Sequence, residues 1–220
     1  FLIYFTIMLV ALVDTLKQLR YQIAHLEDNT LQSEYPELAS FIQQVSLTVT
    51  ESKADLNFLY QFLYVYGRKS EATYSRFRNE LERFYLWSWL IAEKSVFDLK
   101  REDIEAYVDF MVEPDKKWAS TSVQWRYKDE QGVRRLNQNW RPFMQKESIA
   151  SQQTLSAMFT ALNVFYKFAI LEEKTFANFV PVVKKNSPYL VVQSQIQIPD
   201  TLSDIQWEYV FGVTRDLCEQ

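Results

Sequence analysis

Apolar and polar positions alternate along most of this chain with the spacing of helices. From Glu51 onward Leu56, Leu59, Phe62, Leu63 and Tyr66 fall on one helical face, and Gly67 stands where a left-handed residue would end the helix. After Arg68-Lys69, Ser70 is placed as the N-cap of a second helix with a buried stripe of Tyr74, Phe77, Leu81, Phe84, Trp87 and Ile91. A third helix is predicted from about Arg101 to Met111, with Ile104, Tyr107, Val108 and Met111 inward and Glu102 and Asp103 at its positive end; Glu113-Pro114 stops it. The fourth starts near Ser151. Leu155, Met158, Phe159, Leu162, Phe165, Tyr166 and Ala169 face inward, and Ser156, Thr160, Asn163 and Lys167 face outward.

The flanks are less regular. Phe1 to Val13 is a mostly apolar run, and the spacing of Leu16, Leu19, Ile23 and Leu26 extends it as one buried helix to about Leu26. The run is shorter than the ~20 residues of a membrane span and has no basic flank or cleavage site of a secretory signal, so a membrane role is not expected. His25 is read as a surface histidine. Residues 115–147 have no sustained period and read as a long loop or small hairpin. Beyond Lys174 the prolines Pro181, Pro188 and Pro199 argue for an extended linker, with at most a short strand at Tyr189–Val192. Ser203 and Gln206 form a capping box for a last helix, which runs into Gln220 as though the chain continues. The expected layout is an all-α protein: an N-terminal helical region (1–50), a four-helix domain (51–177) with an insertion at 115–147, a linker (178–202) and the start of a further domain (203–220).

Composition removes several function classes. Three glycines, Gly67, Gly132 and Gly212, are too far apart for a phosphate-cradling loop of either common spacing. One cysteine, Cys218, and one histidine, His25, cannot build a Cys/His zinc site or a disulfide framework. No cofactor or metal is expected, and a reducing, cytoplasmic compartment is. The net charge of −4 speaks against nucleic acid only until it is resolved locally. Between Lys116 and Lys146 eight basic residues face two acids, so that segment is +6 and the remainder −10.

The order of elements, with particular residues in place, resembles the core-binding domain of tyrosine recombinases, the family of phage integrases and chromosome-dimer resolvases. The residues that carry the likeness are Lys69-Ser70-Glu71-Ala72-Thr73-Tyr74, Phe77, Leu81, Phe84 and Trp87, then Phe97-Asp98-Leu99 and Asp103-Ile104-Glu105-Ala106-Tyr107. It continues with Ser151, Thr154, Leu155, Leu162, Phe165-Tyr166-Lys167-Phe168, Asn178, Pro181 and Leu202-Ser203, so it covers about Asp55 to Trp207. The resemblance implies a SAM-like four-helix bundle that closes over one face of double-stranded DNA, acting with other protomers in a tetrameric synapse. It also implies a separate catalytic domain. That domain's arginine, lysine, His-x-x-Arg motif and nucleophilic tyrosine would lie beyond Gln220, so this chain is expected not to cut DNA and to take no small-molecule substrate. The chain departs from the family in its long insertion and in its N-terminal fifty residues, which do not resemble a basic arm-binding domain.

Elementary physics points the same way. Helix N-termini offer free N–H groups and a positive dipole end, which makes Ser70–Thr73 and Ser151–Thr154 candidate phosphate contacts. Lys69, Arg76 and Arg83 lie on or beside the solvent face of the second helix and would release counterions on binding DNA. The full set of expected DNA contacts is Lys69, Ser70, Thr73, Tyr74, Arg76, Arg83, Lys116, Lys117, Arg126, Lys128, Ser151, Gln153, Thr154, Thr160, Asn163, Lys167, Lys184 and Lys185. The insertion has two readings. Its cations and Trp118, Trp125, Tyr127 and Trp140 track DNA, or the tryptophans pack beneath the loop and the charges solubilise it. The competing hypothesis is a helical protein-interaction domain with no DNA role. An acid/base enzyme built on Glu102 and Asp103 has only a helix-dipole pattern behind it.

Overall fold

The computed structural model describes residues 9–28, 30–144, 150–190 and 204–218. It is mainly α-helical and divides into two compact units, residues 1–190 and 191–220. Within the first unit the aromatic rings explain why four helices pack together. α4 (Ser52–Phe62), α5 (Glu71–Trp87), α6 (Arg101–Val112) and α7 (Gln152–Leu171) supply Phe58 and Phe62, Phe77, Phe84 and Tyr85, Tyr107, and Phe165, Tyr166 and Phe168. These rings meet mostly edge to face: Phe62 lies 5.2 Å from Phe77 and 5.5 Å from Phe165, and Phe84 lies 5.0 Å from Tyr107. Such pairs contribute about 0.5–1.5 kcal/mol each beyond the area they bury.

The predicted inward positions of α6 and α7 are all buried, as is the α5 stripe at Tyr74, Leu81, Phe84 and Trp87, with Phe77 half-buried. Ile91 is the exception. Both α4 and α5 end in a single π turn, Leu63–Gly67 and Ser88–Ala92, and the second swings Ile91 outward to 47% exposure. Gly67 has no left-handed backbone; its role is close approach, since a Cβ there would meet Tyr74 Cδ2 at 2.8 Å. Asp55 of α4 ties in the loop after α5. Its carboxylate accepts from Trp89 Nε1 at 3.1 Å, Ser95 Oγ at 2.9 Å and the Val96 amide at 3.3 Å.

The N-terminal region is no separate appendage. Of the apolar run expected to be helical, residues 1–8 lie outside the described residues, and Leu9 to Asp14 has no regular secondary structure and is buried throughout. α1 (Leu16–Glu27) begins only after it, and α2 (Leu31–Glu34) and α3 (Pro36–Val45) follow. A helix would satisfy its own amides; here side chains do so instead. Glu82 accepts from the Leu12 and Val13 amides at 2.8 and 3.1 Å, and Gln22 Oε1 from the Asp14 amide at 2.9 Å. Tyr127 donates to the Ala11 carbonyl, Tyr60 to Leu12 and Tyr74 to Asp14. An apolar run of this length fits a buried helix or a buried non-helical segment equally well, so periodicity could not separate them. The expected boundary at residue 50 dissolves for the same reason.

The insertion folds as a short 3-10 turn (Lys116–Trp118), β1 (Ala119–Ser120), an antiparallel hairpin of β2 (Tyr127–Glu130) and β3 (Val133–Leu136), and β4 (Phe143–Met144) pairing parallel with β1. Gln131 and Gly132, with φ of 57° and 88°, make the tight turn, which suits the twist of a two-residue hairpin. The stretch read as an extended linker contains α8 (Val180–Asn186), with Val180 and Val183 buried. Pro181 is accepted because it occupies the first turn, where its missing N–H costs no hydrogen bond. Tyr189 and Leu190 are in a turn; the rest of the expected strand, Pro199 and Ser203 lie outside the described residues. The second unit contains α9 (Asp204–Cys218), no residue of which is buried. α7 is long and apolar enough to cross a bilayer, yet its apolar face is the core of the first unit.

Candidate nucleic-acid interface

The two predicted helix starts are built alike. Ser70 caps α5 by accepting from the Thr73 amide at 3.1 Å, and its hydroxyl lies 2.9 Å from Thr73 Oγ1. Ser151 caps α7 by accepting from the Thr154 amide at 3.2 Å, again with hydroxyls 2.9 Å apart. Both serines are exposed, with the threonines half-buried behind them. Each cap satisfies one amide and leaves the others of the first turn facing solvent. Glu71 follows the first cap, whereas the second is followed by Gln152 and Gln153, with Gln153 exposed. α5 and α7 touch at Phe84–Tyr166 and Tyr85–Phe165, so each cap lies about 20 Å along its helix from that contact.

Lys69 and Arg76 are exposed beside the α5 cap, and Lys167, Lys184, Lys185, Lys116 and Lys128 also stand in solvent. Among the described residues none of these seven comes within 4 Å of a carboxylate. Lys117 pairs with Asp115 at 3.3 Å. Thr160 turns its hydroxyl back onto the Ser156 carbonyl at 2.7 Å. Asn163 accepts from Asn178 at 2.9 Å, and Asn178 in turn accepts from the Val180 amide that opens α8, so Asn163 positions that helix.

Three expected contacts are committed inside the molecule. Tyr74 is fully buried with its hydroxyl on the Asp14 carbonyl, leaving no atom for DNA. Arg83 donates to the Pro142 carbonyl at 2.8 Å and to Glu80 at 3.1 Å, and its guanidinium lies over the Phe143 ring. Arg126 grips the buried Glu82 through Nε at 3.2 Å and Nη2 at 2.8 Å, and lies over Trp140.

That last pair belongs to a network absent from the sequence reading. Arg134 holds Asp14 in a two-point contact, Nε to Oδ2 at 2.7 Å and Nη2 to Oδ1 at 2.9 Å, and Tyr35 donates to the same carboxylate at 3.3 Å. The hydrogen bonds to Asp14 raise the Arg134 pKa above its usual value, and burial keeps the Tyr35 phenol protonated as a donor. Arg135 reaches Glu37 at 3.2 Å. Three of the insertion's eight cations, Arg126, Arg134 and Arg135, are therefore paired with acids of the N-terminal region and α5. Trp118 and Trp140 pack beneath the loop and only Trp125, 82% exposed, points outward. A local cue to the network existed: Asp14 closes an apolar run, and an acid in that setting calls for a partner.

Among the described residues no cluster of His, Cys, Asp and Glu has the makings of a metal site. Comparison with known proteins returns no matching family model, no matching curated protein and no matching solved structure.

Proposed function

We propose that this chain is a DNA-binding module, the core-binding part of a tyrosine-recombinase-type protein, which grips duplex DNA in the cytoplasm without itself cleaving it. One observation supports the reading: the two helix starts offered as phosphate contacts, Ser70–Thr73 and Ser151–Thr154, carry exposed serine hydroxyls, and at α5 the exposed Lys69 directly precedes the cap, with Arg76 exposed further along the helix. Backbone phosphates suit such sites, because amide, hydroxyl and cation act on the same anion. In this reading α4–α7 are the SAM-like bundle and α9 opens a domain that carries the chemistry. The phosphate contacts are Lys69, Ser70, Thr73, Arg76, Ser151, Gln153, Thr154 and Lys167, supplemented by Lys184, Lys185, Lys116, Lys117 and Lys128. Tyr74, Arg83 and Arg126 are withdrawn from the set, and so are Thr160 and Asn163, whose side chains bond within the protein. Titration of the protein with a short duplex at several salt concentrations tests it: the account expects binding that falls steeply with salt, and supercoiled plasmid left unrelaxed.

A second reading, a helical protein-interaction domain, has its own observation in α9, where Ile205, Trp207, Tyr209 and Phe211 are 47–80% exposed. Exposed apolar side chains of this kind need a cover. Absence of duplex binding even at low salt would move this reading ahead.

A further inference from the structure

Neither the sequence likeness nor the predicted contacts give the N-terminal helix a part in binding, yet α1 carries an unusual arrangement beside the α5 cap. The guanidinium groups of Arg20 on α1 and Arg68, just past the π turn, both lie over the ring of one residue, Tyr64, each 5.3 Å from its centroid. Arg20 Nη2 also donates to the Tyr64 hydroxyl at 3.0 Å. Both arginines are exposed, and among the described residues neither comes within 4 Å of a carboxylate. Glu172 shares a groove with Arg20 and Tyr64 but forms no ion pair with them. Two like charges are thus gathered on one aromatic ring with no carboxylate of the described residues within 4 Å, at a Coulombic cost that an anion would reverse. Their combined field lowers the Tyr64 pKa, the hydrogen bond from Arg20 being the largest cause.

The surroundings extend the charge in one direction. Lys17 is exposed one turn before Arg20, Tyr21 is 62% exposed beside it, and α1 has no acid before Glu27. On the other side Arg68 is followed directly by Lys69 and the Ser70 cap. The basic surface is therefore continuous in sequence from the π turn into the start of α5. Contact with Tyr64, and for Arg20 the hydrogen bond to its hydroxyl, restricts the guanidinium groups before any ligand arrives, so less conformational freedom is lost on binding.

We propose that Arg20 and Arg68, gathered on Tyr64, grip a backbone phosphate of duplex DNA and so carry the binding surface from α5 onto α1. This rests on the DNA reading above and adds to it a contact from the N-terminal region.

The test is the salt dependence of binding to a random-sequence duplex, measured by fluorescence anisotropy on the full chain with Arg20→Gln, Arg68→Gln, the double variant and Arg20→Lys. The double variant, which loses the one phosphate contact, is expected to reduce the slope of log K against log salt by about 0.9, and each single Gln substitution by up to that amount, whereas Arg20→Lys keeps the wild-type slope. Circular dichroism of the double variant should match wild type, because both side chains stand in solvent. An unchanged slope in the double variant, alongside a reduced one in Lys69→Ala/Arg76→Ala, would overturn the α1 contact and leave the DNA reading standing. Failure of the wild-type chain to bind duplex at any salt would remove both.

Discussion

Glu82 on α5 and Leu12 in the N-terminal strap lie seventy positions apart in the chain, and the Glu82 carboxylate accepts the Leu12 amide at 2.8 Å. The other carboxylate oxygen receives Arg126 from the insertion. One buried acid thus joins the two segments whose roles the sequence left open, the apolar N-terminal run and the basic insertion, and it does so inside the first compact unit.

Breaking that joint is expected to destabilise the fold. Glu82→Ala leaves the Leu12 and Val13 amides without partners and strips the half-buried Arg126 guanidinium of its carboxylate, leaving it only Asn79 at 2.8 Å, and a loss of about 3–5 kcal/mol in urea unfolding follows from the usual cost of splitting a buried pair. Arg126→Ala should also lower stability while leaving the salt slope of duplex binding at its wild-type value. A slope reduced in a still-folded Arg126→Ala would return the insertion's arginine to the DNA face.

Gly67→Ala is expected to cost about 1–3 kcal/mol, since the added methyl meets Tyr74 Cδ2 at 2.8 Å and the Tyr74 Cα at 3.3 Å. Tyr74 cannot retreat without giving up its hydrogen bond to Asp14. Thermal unfolding of the variant measures the effect, and an unchanged midpoint would mean the contact relaxes freely.

Burial pushes Asp55 up to about 6 from a carboxylate's 3.8, against the opposing pull of its three hydrogen bonds. Between those values the native state holds a proton that the unfolded chain has released. Asp55's contribution is therefore full below pH ~4 and is lost as pH rises through ~6. Asp55→Asn should be less stable overall, because an amide cannot accept from three donors, and should lack this decline, worth about 1–3 kcal/mol. Parallel stability curves for the two proteins across pH 4–7 would contradict it.

The elements that sequence made legible are those whose signal is local. The stripes of α5, α6 and α7 and the caps Ser70 and Ser151 depend on neighbours within one or two turns, and they stand where spacing puts them, except Ile91, displaced by a π turn. What was hidden depends on distant partners. Nothing near Arg134 or Arg126 in the chain announces acids 120 and 44 positions away, so a +6 segment looked like a ligand surface when part of it was internal glue. The excess of acid elsewhere was the only global hint that those charges had partners at home. Pro181 misled for a positional reason, because proline breaks a helix interior but starts one well.

α9 offers a prediction about the second unit alone. Its apolar side chains are exposed, so removing residues 203–220 should improve solubility and leave the thermal midpoint of the first unit nearly unchanged. A large drop in that midpoint would assign the helix to the bundle's core.

The central claim is that the start of α5 and the outer face of α7 hold backbone phosphates through exposed cations that have no carboxylate of the described residues within 4 Å. The most direct measurement is duplex affinity against salt concentration for wild type and for Lys69→Ala/Arg76→Ala/Lys167→Ala, whose side chains all stand outside the core. The account predicts weaker binding to matched and scrambled duplexes alike, with the slope of log K against log salt reduced by up to about 2.7. Wild-type affinity and slope in the folded triple variant would contradict it.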